Sequence, residues 1–227
     1  MYSRKVFDYG DFIPMQPARL PLPLHRRCSP RHRWRPQPMP PITHVLAGWC
    51  AGNVLQLTAK ERALCIAASV LPDLDGLSLL GGVDSYQAYH HVLCHNLTFG
   101  LAATLGVVCL CRCSLKASVM FLLLFHLHLL MDILGSGPGW GIAYFWAWSS
   151  RVFSSSHAWS FTGWQNQVTL LLFAGWTVGI AVRCRRTPLE FVAPRLDALV
   201  LRMLPTPASV TPAAEAPAAP PPDAAGH

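Results

Sequence analysis

Three long apolar runs, residues 90–111, 117–134 and 167–182, constrain this chain more than any other feature. Basic residues bound them: Arg112 and Lys116 lie between the first two, and Arg183, Arg185 and Arg186 follow the third. Long apolar runs flanked by Lys and Arg are the pattern of membrane-spanning helices. Composition agrees. Hydrophobic residues are 52% of the chain and charged residues 13%, about half of the ~25% that covers the surface of a soluble domain. The expected fold class is therefore all-α, an integral membrane helical bundle of about three to four transmembrane helices with disordered termini.

The formal charge of +7 does not mark a nucleic-acid partner. The basic residues sit in tails and short turns, where they set topology, and no basic patch is interleaved with stacking aromatics. Membrane lipid is the expected partner, and nucleic acid is not. Five of the eight cysteines, Cys50, Cys65, Cys94, Cys109 and Cys111, fall in apolar helical segments and read as small buried hydrophobes. Cys109-x-Cys111-x-Cys113 lacks zinc-finger spacing and a second half.

Residues 1–39 form a basic, Pro/Arg-rich extension expected to be disordered, because such a segment cannot bury enough apolar surface to offset its ordering entropy. Residues 44–57 are predicted to form a helix capped by Thr43, and Lys60 to Arg62 a charged turn. A short helix over 63–71 ends at Pro72, and 76–89 is a glycine-containing loop. The loop 135–166 carries an aromatic cluster suited to a membrane–water interface. A short amphipathic segment spans 187–204, and 205–227 is an Ala/Pro-rich tail expected to be disordered.

The chain has only 11 acidic residues, yet Pro72-Asp73-Leu74-Asp75 places two of them in one turn at the end of an apolar segment. Folded hairpin by hairpin, short connections make neighbouring helices antiparallel. His44 then falls at the same end of the bundle as Asp73 and Asp75. His90, His91 and His95 begin the next run there, and His128 and Asp132 end the following one. The basic turns fall at the other end. His128 and Asp132 are four residues apart and share a helix face. Asp73 and Asp75, on an extended segment, are expected to point the same way. His91 pairs with His95 at i,i+4 and His90 with His95 at i,i+5, so either pair can reach a metal. His126 points off the His128 face and reads as a packing residue, and His157 is open as a further ligand. Ionisable residues in membrane spans are costly and mark function. Mixed imidazole and carboxylate ligands suit zinc, with manganese or iron as second choices. Their number points to a two-metal site, or to one metal with a carboxylate general base.

In order, these segments are Thr43-His44, Pro72-Asp73-Leu74-Asp75, His90-His91-Val92-Leu93-Cys94-His95, and His128-Leu129-Leu130-Met131-Asp132 with Gly135. The series resembles the YdjM-like family of bacterial inner-membrane proteins, whose members are predicted to be metal-dependent hydrolases. The resemblance covers about residues 40–150. It implies a membrane-embedded, metal-dependent hydrolase domain over 40–186, with His44, Asp73, Asp75, His90, His95, His128 and Asp132 as metal ligands. It favours His90 over His91. Catalysis falls to Asp73 and Asp75, with Asp75 as general base. A likeness to zinc-dependent phospholipase C enzymes suggests a phosphoester or lipid-linked substrate. His91 stands where the family pattern has arginine, and Cys94-His95-Asn96 where it has Thr-His-Ser. Family members tend to begin just before Thr-His, which makes Met39 the expected native start. The basic turns place the metal end in the periplasm of a multi-pass inner-membrane protein. The other function class open at this point is a non-catalytic membrane protein whose His/Asp cluster is structural, or binds metal for sensing or transport.

Overall fold

The computed structural model describes residues 40–205. The expected basic extension 1–39 with its Met39 start, and the tail beyond Pro205, lie outside the described residues. The elements are α1 (Pro41–Gly52), α2 (Ala59–Val70), a 3-10 segment (Pro72–Gly81), α3 (Val83–Tyr89), α4 (Leu97–Cys111), α5 (Leu115–Gly135), α6 (Trp164–Cys184), a 3-10 turn (Pro188–Glu190) and α7 (Pro194–Met203). Among the described residues the fold is all-helical, apart from one isolated bridge between Ile142 and Phe153.

Local chemistry explains the boundaries, including those that differ from expectation. α1 begins at Pro41 rather than His44, because a proline is preorganised for the first helical position. Thr43 thus lies inside the helix and is not its cap. Lys60 to Arg62 form the first turn of α2, not a separate turn, because Thr58 and Glu61 build a reciprocal capping box. The predicted loop 76–89 is mostly helical, as the 3-10 segment and α3 hinged at Gly82. The apolar run from His90 is not one helix. Asn96 caps α4 by accepting the Phe99 N–H at 2.8 Å. Its amide also donates to the Val92 and Leu93 carbonyls, both at 2.8 Å, so residues 90–96 form a fixed turn. That leaves α4 as 15 residues, about 22 Å long and shorter than a bilayer core.

Two helices, α5 and α6, are long and apolar enough to cross a membrane. α2 with the following 3-10 segment makes a third if that pair, bent by 52°, is one span.

α1 and α2 form a tight antiparallel hairpin. A Cβ at Gly48 would sit 2.5 Å from Ser69 Oγ and 2.7 Å from the Cys65 carbonyl, which is the close backbone approach that small residues permit between membrane helices. α4 approaches α5 in the same way, with Gly100 against the Phe125 ring. α6 packs on α1 through Cys50, whose Sγ lies 3.5 Å from the Phe173 carbonyl. At one end of the bundle Arg62 pairs with Glu190 at 2.8 Å. There too Lys60 donates to the Cys111 carbonyl at 2.8 Å, and the Ser114 N–H to Glu61 at 3.0 Å. The 3-10 segment, the 90–96 turn and the end of α5 meet at the other.

Gly48→Leu should prise α1 from α2 and destabilise the protein by about 1–3 kcal/mol or more. Gly175→Leu, where nothing lies within 4 Å of the added Cβ, should be neutral. Thermal unfolding of both variants in detergent, with Tm as the readout, checks the pair.

Candidate metal centre

The centre is built around the carboxylate of Asp132, which is wholly buried near the end of α5. Its Oδ2 lies 3.1 Å from His128 Nε2, 3.2 Å from His95 Nε2 and 3.4 Å from His91 Nε2. Its Oδ1 lies 3.3 Å from His44 Nε2 and accepts from the Ser136 hydroxyl at 3.3 Å. Four imidazoles from three separate segments thus face one carboxylate. α1 supplies His44, the 90–96 turn supplies His91 and His95, and α5 supplies His128 one turn before Asp132 itself.

The protonation of two of these rings follows from what lies behind them. His128 Nδ1 is 2.7 Å from the Ser69 carbonyl. A carbonyl can only accept, so Nδ1 carries the proton. His95 Nδ1 is 2.9 Å from Asp75 Oδ2, and the same reasoning applies. In each neutral ring the Nε2 lone pair is then bare. Yet these two Nε2 atoms are 3.2 Å apart and both face Asp132 Oδ2. Three acceptors converging in a buried space require positive charge between them. Ligands 2.0–2.1 Å from a tetrahedral zinc sit about 3.3 Å apart, close to the separations found. Asp73 Oδ1 completes the set, 3.6 Å from His128 Nε2 and 4.0 Å from His95 Nε2. Asp73, His95, His128 and Asp132 can hold a metal ion.

Asp75 lies on the far side of the His95 ring. The 3-10 geometry of Pro72–Gly81 turns Asp73 and Asp75 to different neighbours, where an extended segment would have aimed both the same way. Asp75 Oδ1 is 2.7 Å from His90 Nδ1, and Oδ2 accepts from both His95 Nδ1 and the Cys94 N–H, the latter at 3.2 Å. This carboxylate orients two histidines at once, an arrangement found behind metal-bound imidazoles. Asp75, His90 and His95 also form a second group with metal-ligand spacing.

His90 and His91 divide what the sequence left open. His90 turns to Asp75 and stacks under Tyr86, ring centroids 4.5 Å apart, with its Nε2 buried and unpartnered. His91 takes a positive φ of 68°, a left-handed conformation costly for a residue with a Cβ, and its ring reaches towards Asp132. The Trp140 indole N–H donates to His91 Nε2 at 3.0 Å. Burial drives His91 down to about 4, against the raising effect of Asp132. His91 is neutral at pH 7 and is no cationic substitute for an arginine. Burial also lowers His95, but hydrogen bonds and charge from Asp132 and Asp75 outweigh it and lift the group to about 9. Tyr86 is pushed up to about 12 by burial and the neighbouring aspartates, so its hydroxyl stays neutral.

The remaining histidines among the described residues stand apart. His126 bonds the Leu122 carbonyl at 2.8 Å and the Tyr144 hydroxyl at 2.9 Å. His157 is exposed in the long loop and bonds only locally with Ser155 and Ser156. Sequence reasoning did not find Ser69, Trp140 or Ser136. Ser69 acts through its carbonyl, which any residue offers, and Trp140 is distant in sequence. The Asn96 cap was readable, three residues before Phe99. Asn96→Ala should loosen the 90–96 turn and cost about 0.5–2 kcal/mol, as measured by thermal unfolding in detergent beside the wild type.

The sequence profile described as YdjM inner membrane protein matches residues 39–204. No curated protein and no solved structure matches the chain. The profile match takes in well over half of the chain and every ligand-bearing segment, and the chain belongs to the YdjM inner membrane protein family.

Proposed function

We propose that this protein is a multi-pass, metal-dependent hydrolase of the bacterial inner membrane, acting at the periplasmic surface on a phosphoester or lipid-linked substrate. One observation carries the reading. The Nε2 atoms of His95 and His128 and the Oδ2 of Asp132 lie 3.1–3.2 Å apart, and both imidazoles are locked by acceptors behind them. Such convergence of buried lone pairs is a site made for a cation.

Asp73, His95, His128 and Asp132 hold the ion in this reading. Two nitrogen and two oxygen donors suit zinc first, manganese or iron second. The ion supplies Lewis acidity towards the scissile group when bound. Asp73 stands at the mouth, with 22% of its side chain exposed against none for Asp132. His90 takes the proton from the attacking water at its unpartnered Nε2, while Asp75 holds the ring by Nδ1 and stabilises the charge that develops. That is the division of labour in any Asp–His general base. Asp75 then acts through His90 and His95, as a positioning residue.

Support for a lipid-linked substrate comes from the surroundings. Leu74, Leu77 and Leu80, on the segment that carries Asp73 and Asp75, are 47%, 63% and 90% exposed. An apolar collar beside a polar centre suits a substrate with its tail in the bilayer and its head at the interface. The basic turns at the opposite end, Arg112, Lys116, Arg183, Arg185 and Arg186, favour the cytoplasm.

A second reading is metal binding without turnover. It is favoured by His91, which accepts from Trp140 where the family pattern has an arginine.

Protein purified without chelators should carry tightly bound metal by elemental analysis. His128→Ala and Asp132→Asn should lose it, and Asp75→Asn should weaken it by about 10–100-fold in chelator competition. His90→Ala should keep its metal yet lose about 10²–10⁴-fold in turnover in a screen of phosphoester and lipid substrates. Metal loss in that variant makes His90 a ligand instead. A full screen without turnover by metal-loaded wild type favours the second reading. A reporter fused after Lys116 should behave as cytoplasmic, and a periplasmic signal reverses the orientation.

A further inference from the structure

The amphipathic segment that follows α6 takes no part in the metal centre. Pro194 opens α7, Asp197 lies in its first turn and Arg202 in its last, as a helix start and a helix dipole favour. A helix of 10 residues is marginal in water by itself. Here it is held from below. The Thr187 N–H and hydroxyl donate to Asp197 at 3.1 and 2.6 Å. Arg185, which ends α6, donates to the Leu201 and Leu204 carbonyls, groups that the end of a helix leaves open. Glu190, between α6 and α7, pairs with Arg62 of α2 at 2.8 Å. These contacts fix α7 at the basic end of the bundle, away from the histidines.

The outer face of α7 is apolar and open. Leu196, Leu199 and Met203 follow one another at three and four residues and form one stripe. Leu196 and Leu199 are 47% and 51% exposed, and Met203 80%. Arg195 and Arg202, seven residues apart, run along the flank of that stripe. The acidic residues of the segment turn inward instead, Glu190 to Arg62 and Asp197 to Thr187. Arg62–Glu190 is the only arginine ion pair among the described residues. Arg195 and Arg202 therefore keep their charge without an acidic partner, as do Arg183 and Arg186 at the end of α6.

We propose that α7 lies in the plane of the membrane on the leaflet at the basic end of the bundle, and that its occupant is anionic phospholipid. Leu196, Leu199 and Met203 enter the acyl boundary, and Arg195 and Arg202 meet the lipid phosphates. An apolar stripe flanked by arginines is the pattern of a helix seated at such an interface. The short connection from Cys184 to Pro194 keeps α7 level with the end of α6, a helix long and apolar enough to cross the bilayer. Tethering by α6 makes the docking intramolecular, so a short stripe suffices. A second copy of the chain seated on the same stripe would bring arginine against arginine. Each arginine near an anionic surface strengthens docking about five-fold. This seat depends on α6 as a membrane span and is independent of the metal centre.

The experiment reconstitutes the full chain in vesicles of phosphatidylcholine alone and of phosphatidylcholine with phosphatidylglycerol. Amide hydrogen exchange over residues 194–203 is then followed by mass spectrometry. Exchange in the wild type should be about five-fold slower or more with phosphatidylglycerol, and the difference should shrink in high salt. Arg195→Gln combined with Arg202→Gln should abolish the difference while exchange in α5 stays as in the wild type. The wild-type comparison between the two vesicles stands without any variant. Equal wild-type exchange in both vesicles overturns the proposal. So does a phosphatidylglycerol effect that survives in the double variant, because the lipid then acts elsewhere on the chain. Protection that rises with the number of chains per vesicle assigns the stripe to a second copy and overturns it too. Each of these failures leaves the metal-dependent reading standing.

Discussion

A single buried carboxylate organises this protein. Asp132 is fully enclosed near the end of a membrane-length helix, where an uncompensated charge is among the most costly groups a fold can carry. Four imidazole nitrogens lie within 3.1–3.4 Å of it, and because the lone pairs of His95, His128 and His91 turn inward, it takes a cation among them to answer that cost. Reaching it takes α1, α5 and the 90–96 turn, and the 3-10 segment adds Asp73 at the mouth. The packing of the site end is therefore the electrostatics of Asp132, expressed as a requirement on where the chain must go.

The second layer is what distinguishes the arrangement from a chance gathering of polar groups. Ser69 on α2 offers a carbonyl to His128, and Asp75 offers one carboxylate to both His90 and His95. Each contact fixes which nitrogen carries hydrogen and so which lone pair faces inward. The tight α1–α2 crossing at Gly48 contributes directly. A Cβ there would collide with the side chain of Ser69, the residue whose carbonyl sets His128. Helix packing and ring tautomer are thus parts of one construction.

Much of this was legible in the sequence, and the limits have physical causes. The apolar runs 117–134 and 167–182 read directly as α5 and α6, because period and length leave no other option in a chain so poor in charge. The gathering of His and Asp at one end followed from alternating short turns. The run from His90 was misjudged as one helix. Hydrophobicity is indifferent to whether an apolar stretch is helical, whereas Asn96 decides it by capping α4 and tying down Val92 and Leu93. The roles of Asp73 and Asp75 could not be separated either. An extended strand and a 3-10 turn send residues i and i+2 in different directions, and Pro72-Asp73-Leu74-Asp75 is compatible with both. His91 was legible as a departure from a family pattern. That it is buried, neutral and held by Trp140 was not, since that contact joins residues 49 positions apart.

The central claim is that imidazole nitrogens and carboxylate oxygens alone surround a metal at the end of α5. X-ray absorption at the metal edge of the zinc-loaded full chain tests it most directly. The account predicts a first shell of light atoms at about 2.0–2.1 Å with outer scattering from imidazole rings. A shell containing sulfur at about 2.3 Å, drawn from the chain's cysteines, would contradict it, as would a first shell without imidazole.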